Sequence, residues 1–193
     1  MSNISLIVGL GKPGKEYAQT RHNAGFWFVE QLEDRYGISL KADPKFHGYS
    51  GRGQIDGHDV RLLLPTTFMN RSGQSVVPFA KFCQVAPEAI LVAHDELDMD
   101  PGIIRLKLGG GHGGHNGLRD IVPHIGANFH RLRIGIGHPG SKERVSGHVL
   151  GKAPSSEQAL MDAAIDHALS KVKMLVDGQV SQAMNQINAY KPA

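Results

Sequence analysis

Short apolar runs alternate with helix-spaced segments along the chain, and this alternation constrains the fold more than any other feature. "ISLIVGL" (4–10) predicts a buried strand. The segment Ala24 to Tyr36, with Phe28, Val29, Leu32 and Tyr36 near helical spacing, predicts an amphipathic helix. "HDVRLLLP" (58–65) and "AILVAHD" (89–95) predict further strands, with helical "GQSVVPFAKFC" between them, where Pro78 is expected to kink or delay the helix. "GIIRLKL" and "FHRLRIGIG" predict two more strands around a glycine run and the helix-like "NGLRDIVPHIG". A long helix is expected from Ser155, which has capping-box spacing to Gln158, to about Asp177 before Gly178, and a shorter one near "SQAMNQINAY". Such an order predicts an α/β fold: one domain over 1–193, with a mixed, largely parallel twisted sheet flanked by helices.

Composition narrows the function classes. A lone cysteine, Cys83, excludes a disulfide framework and a cysteine-rich zinc module, and it fits a reducing compartment. The opening "MSNISLIVGL" is too short for a membrane span and lacks the basic start and cleavage pattern of a secretory signal. A cytoplasmic protein with no membrane partner is therefore expected. Net charge is +3, but it divides unevenly: Gly102 to Lys152 holds eight Lys/Arg against two acids, a balance of +6, which leaves −3 for the remainder. A basic region of that kind suits a polyanion such as nucleic acid, or is simply a solvated basic face.

The glycine run lies inside "LGGGHGGHNGLRD" (108–120). Glycine loses more backbone entropy on folding than any other residue, so dense glycine implies either a flexible linker or a backbone that something must approach closely. The run sits between a strand and a helix of one unit, which favours a site. Both "GLGKPG" (9–14) and "GGGHGG" (109–114) satisfy G-x-G-x-x-G, but the first holds Pro13, is followed by a long loop, and lacks the downstream acid of a dinucleotide site. No glycine-lysine-Ser/Thr follows either run, which excludes a P-loop.

Four polar residues occupy the predicted strand-to-helix junctions: His22 and Asn70 after the first and second strands, Asp95 at the end of the third, and Asn116 after the glycine run. Asn23 is a candidate helix N-cap. Ligands of open α/β sheets bind outside the carboxyl ends of the strands, so parallel strands would bring the four to one rim. Taken singly, each residue also reads as a cap or turn former. A rival set, His94, Asp95, His112 and His115, offers metal ligands, although H-x-x-H in a glycine loop is not the i, i+4 spacing of a helical zinc site.

In this order and spacing, "VGLGKPGKEYAQTRHNAG", "PTTFMNRSG", "LVAHDELD" and "GGGHGGHNGLRD" resemble bacterial peptidyl-tRNA hydrolase, and "RLRIGIGHPG" and "GHVLGKAP" extend the similarity over nearly the whole chain. The resemblance implies a monomeric single-domain α/β enzyme, without metal or other cofactor, that cleaves the ester joining a nascent peptide to the 3′ end of tRNA. It makes His22 the general base and Asp95 the group that orients it. Asn70 and Asn116 would hold substrate and water, Tyr17 would be a substrate contact, Met69 would line the peptide side, and His115 would stand near the tRNA end. Lys107 and Arg133 would contact tRNA phosphates.

The residue types fit that chemistry. An acyl ester of a ribose hydroxyl is activated, so water attacks once a base of near-neutral pKa removes its proton, and a carboxylate on the far ring nitrogen fixes the imidazole tautomer. An amide donating to the oxyanion, Asn116 before Asn70, is typically worth roughly 3 to 4 kcal/mol. Ser72 offers a covalent alternative. The glycine run is expected to act as a mobile flank of the cleft. Lys12 departs from the family's usual GLGNPG: a cation that only donates replaces a neutral donor and acceptor. In the cleft it would depress the His22 pKa, and a weakened tRNA-binding protein is the alternative function.

Overall fold

The computed structural model describes residues 3–193. Seven strands form one sheet: β1 (Leu6–Gly9), β2 (Lys41–Asp43), β3 (Gly48–Ile55), β4 (His58–Pro65), β5 (Ile90–Glu96), β6 (Ile104–Leu108) and β7 (His130–Gly135), in the order β2-β3-β4-β1-β5-β7-β6. The central β4, β1, β5 and β7 pair in parallel, while β2–β3, β3–β4 and β6–β7 are antiparallel. The sheet is therefore mixed, as expected, with its parallel part confined to the middle. β1 and β5 are buried along their whole length, which is why they read as continuous apolar runs.

Helices α1 (Ala24–Tyr36), α2 (Gly73–Phe82), α3 (Asn116–Ile125), α4 (Val145–Val149), α5 (Ser155–Leu169), α6 (Val172–Val176) and α7 (Val180–Asn188) flank the sheet. One apolar cluster joins Phe28, Val29 and Leu32 of α1 to Met161, Ile165 and Leu169 of α5 and to α6 and α7. On the other side, Val76 and Phe79 of α2 and Leu118 and Ile121 of α3 pack with Leu6, Val8 and Val92. Gly9 and Gly25 let α1 lie directly on the sheet: a Cβ at Gly9 would strike the Gly25 carbonyl, and one at Gly25 the Ala93 carbonyl. The first glycine motif thus serves helix-on-strand packing.

Several local expectations are corrected. Pro78 lies inside an unbroken α2; it and Gln74, whose carbonyl loses its i+4 donor, are both exposed, where an open backbone acceptor costs less than in the core. The C-terminal helix is not continuous to Asp177: α5 stops at Leu169, where the Ser170 hydroxyl donates back to the His167 carbonyl at 2.5 Å, and α6 begins at Val172. Pro154 is the N-cap of α5, and the Gln158 amide reaches forward to Asp162 at 2.9 Å, so Ser155 and Gln158 form no capping box. Asn23 stands at the N-cap position of α1, but its side chain accepts from the Lys12 amide and donates to the Lys12 carbonyl instead.

Candidate active site

The carboxyl ends of β1, β4 and β5 open onto one rim, and the turns that follow carry the polar residues there. β1 leads through a loop to the single turn Arg21–Asn23, β4 to the turn Met69–Arg71, and β5 ends on Asp95 and Glu96. Asn116 arrives by another route. β6 runs antiparallel to β7, so its end at Leu108, opposite His130, points away from the rim. The glycine run carries the chain back: the Gly109 amide binds the Phe129 carbonyl at 3.0 Å, the buried Arg131 guanidinium donates to the Gly111 carbonyl, and Gly113 lies beside the Glu96 carboxylate. Gly109, Gly110, Gly113 and Gly114 all have positive φ, from 57° to 99°, a path that side chains would strain. α3 then begins on the rim.

His22, Asn70, Asp95 and Asn116 line one cleft of about 630 Å³, together with Lys12, Met69, His115 and Arg119. The apolar Phe68, Leu97, Val145, Val149 and Leu150 line it as well. Asn70 and Asn116 are exposed, and Met69 is buried. Tyr17 is not on the cleft wall: its ring supports the Lys12 ammonium, 4.2 Å from the ring centroid. The Ser72 hydroxyl, 2 % exposed, donates to the Met69 carbonyl at 2.7 Å and does not line the cleft.

Asp95 is the centre of the site. Its side chain is 3 % exposed, Oδ2 stands 2.8 Å from His22 Nδ1, and Oδ1 stands 2.8 Å from His115 Nε2. The tautomers follow from the partners. His115 is the N-cap of α3 and accepts the Gly117 and Leu118 amides on Nδ1, so its proton is on Nε2, toward the carboxylate. His22 donates from Nδ1, which leaves Nε2 a free lone pair. Burial alone would raise the Asp95 carboxyl; the His115 and His22 imidazoles, by charge and hydrogen bond, hold it far below the usual range. Burial pulls the His22 pKa down and Lys12 adds to that, but the Asp95 charge and hydrogen bond outweigh both and leave it raised. The expected depression by Lys12 is thus present without setting the net direction.

His94 completes the cluster. It is 2 % exposed, its Nδ1 donates to the Asp95 carbonyl at 2.9 Å, and its ring meets His115 at 5.1 Å between centroids. Burial first, then the neighbouring His115 and Arg131, lower its pKa to about 3, so it is neutral. The rival metal set does not form: His112 binds the Gly114 amide, 3.0 Å from its Nδ1, and His94 faces backbone. His22, Asp95 and His115 do offer three ligand atoms within 4.8 Å of one another, but both imidazoles spend those atoms donating to the carboxylate. Neither the shared carboxylate nor the neutral His94 was expected from sequence; "HDELD" showed a histidine beside Asp95 without its direction.

Lys107 and Arg133 line a smaller hollow of about 240 Å³ that shares Glu96 and Gly113 with the cleft. Arg133 donates to the Glu96 carboxylate at 2.9 Å, and Lys107 is exposed. The basic stretch is not wholly free for a ligand, since Arg131 is spent on the Gly111 and Ala127 carbonyls.

A profile of the peptidyl-tRNA hydrolase family matches residues 6–193. A peptidyl-tRNA hydrolase of Acinetobacter baumannii strain AYE is 88% identical over 193 residues, 100% of both chains. One from Acinetobacter baylyi is 84% identical over 192 residues, again with 100% of both covered. A crystal structure of peptidyl-tRNA hydrolase from Acinetobacter baumannii has a TM-score of 0.99 at 87% identity, covering 100% of this chain and 98% of that one. By profile, by full-length sequence and by fold, the chain belongs to the peptidyl-tRNA hydrolase family.

Proposed function

We propose that this protein hydrolyses the ester between a peptide and the 3′ end of tRNA, releasing peptide and reusable tRNA, as a single-domain cytoplasmic monomer without metal or other cofactor. Family membership supports the reaction, and the observation that carries the mechanism is the contact between His22 Nδ1 and Asp95. Neutral His22 takes a proton from water on Nε2 while Asp95 holds Nδ1–H and stabilises the imidazolium. The hydroxide formed attacks the acyl carbon, and the exposed Asn116 amide, with Asn70 also on the cleft wall, donates to the oxyanion. Collapse breaks the ester, and the imidazolium returns its proton to the ribose oxygen. Met69 and the apolar wall hold the peptide, His115 fixes Asp95 from its far side, and Lys107 and Arg133 meet phosphates at the adjoining hollow.

A weakened tRNA-binding protein finds no support: the imidazole and carboxylate are assembled, and the Lys12 ammonium rests over Tyr17. Multiple-turnover release of labelled peptide from peptidyl-tRNA in the presence of a chelator tests the reading. Sustained release is the expected outcome; stoichiometric binding without release would overturn the activity, and loss of release on chelation would overturn the metal-free mechanism.

A further inference from the structure

We propose that Arg21 is a positioning residue that ties the acyl-side wall of the cleft to the turn carrying His22, an inference that rests on the hydrolase reading above. Val145, Ser146 and Val149 of α4, with Leu150 just beyond it, form part of the cleft lining, yet none of the five residues of α4 is buried. Val149 is the one residue of α4 that packs against the main apolar cluster, so much of this wall is held by polar ties. Its far end is tied instead to the His22 turn. The Arg21 guanidinium donates to the His148 carbonyl at 2.9 Å, the Arg21 amide donates to the Gly151 carbonyl at 3.1 Å, and Thr20 bridges Lys152 in antiparallel fashion.

Two details argue against a plain fold-stabilising role. Arg21 is 9% exposed, and its Nε is buried with no partner among the described residues, a costly arrangement when a neutral side chain would fill the space. Gly151 allows close packing at this point: a methyl there would stand 3.0 Å from the Gly147 carbonyl and 3.1 Å from Arg21 Nη1. Arg21 and His22 are adjacent, so wall and base share one anchor. The His148 ring adds a second tie, its Nε2 donating to the Ile136 carbonyl at 3.1 Å.

The test compares kcat and KM of Arg21→Met and Arg21→Lys on two substrates, a tRNA bearing a long peptide and one bearing a single N-blocked amino acid. Arg21→Met is expected to raise KM for the long peptide about tenfold with kcat within about twofold, because a charge-assisted tie on a binding wall is lost. The rise is smaller for the short acyl group, and Arg21→Lys recovers part of it. Gly151→Ala, which crowds both the Gly147 carbonyl and the Arg21 guanidinium while leaving the arginine in place, shifts KM in the same direction and serves if Arg21→Met fails to fold. An unchanged KM in folded variants, an equal loss on both substrates, or a fall in kcat alone overturns the inference. Absence of turnover by the unaltered protein would overturn the hydrolase reading instead.

Discussion

Neutral His22 has one ring proton, and Asp95 Oδ2 at 2.8 Å draws it to Nδ1. Asp95→Asn keeps the shape but offers an amide N–H to one of its two imidazoles, which favours the tautomer with the base nitrogen blocked. We expect kcat to fall about 10²- to 10⁴-fold with the protein still folded, read by steady-state kinetics beside circular dichroism. The raised His22 pKa sets the sign of the pH profile. The base works when deprotonated, so kcat/KM should climb with pH through a midpoint above the ordinary imidazole value of about 6.5. The Lys12 charge opposes that rise, so Lys12→Asn should move the midpoint further up; a midpoint that stays put would show the ammonium to be screened. His22, Asp95 and Asn70 were legible in sequence because strand ends are marked by apolar runs that stop, and Asn116 because a helix start follows the glycine run. The second imidazole on Asp95 was not, since His115 reaches it only by capping α3 with its other nitrogen.

Among the elements, the glycine run shows where local reading succeeds for an incomplete reason. The sequence order predicts the run beside the site, at the end of a parallel strand, but β6 points the other way and the run itself makes the return. Antiparallel entry of β6 depends on packing against β7 and α7, where the Asn188 amide binds both the amide and the carbonyl of Leu106; nothing local encodes it. The β3–β4 hairpin, by contrast, carried a readable signal in "DG": Asp56 and Gly57 both have positive φ, at 53° and 79°. Strand β3 itself carries no such signal, because glycines and polar residues interrupt the apolar pattern. Hydrogen exchange tests the run as a moving flank. Amides 110–113 should exchange orders of magnitude faster than those of β1 and β5 in the free protein and slow when substrate is bound. Protection equal to the central strands in both states would contradict a gate.

At the scale of the whole molecule, the His94–Asp95–His115 cluster links catalysis to acid stability. His94 has its pKa lowered to about 3 in the fold against about 6.5 unfolded. The unfolded chain therefore binds more protons in that window, and stability contributed by neutral His94 is present above pH 6.5 and lost as pH falls toward 3. His94→Asn retains a donor to the Asp95 carbonyl and cannot titrate. Its unfolding free energy should fall less steeply with acidification, by up to about 1.4 kcal/mol per pH unit in that window, as measured by urea titration. Parallel slopes for the two proteins would show His94 to be charged in the fold.

The most direct measurement of the central claim is the single-turnover rate of peptidyl-tRNA cleavage by His22→Ala beside the unaltered protein, at saturating enzyme and neutral pH. Removing the base should slow cleavage at least about 10²-fold while tRNA binding persists. Cleavage at an undiminished rate would place the proton transfer elsewhere and contradict the account.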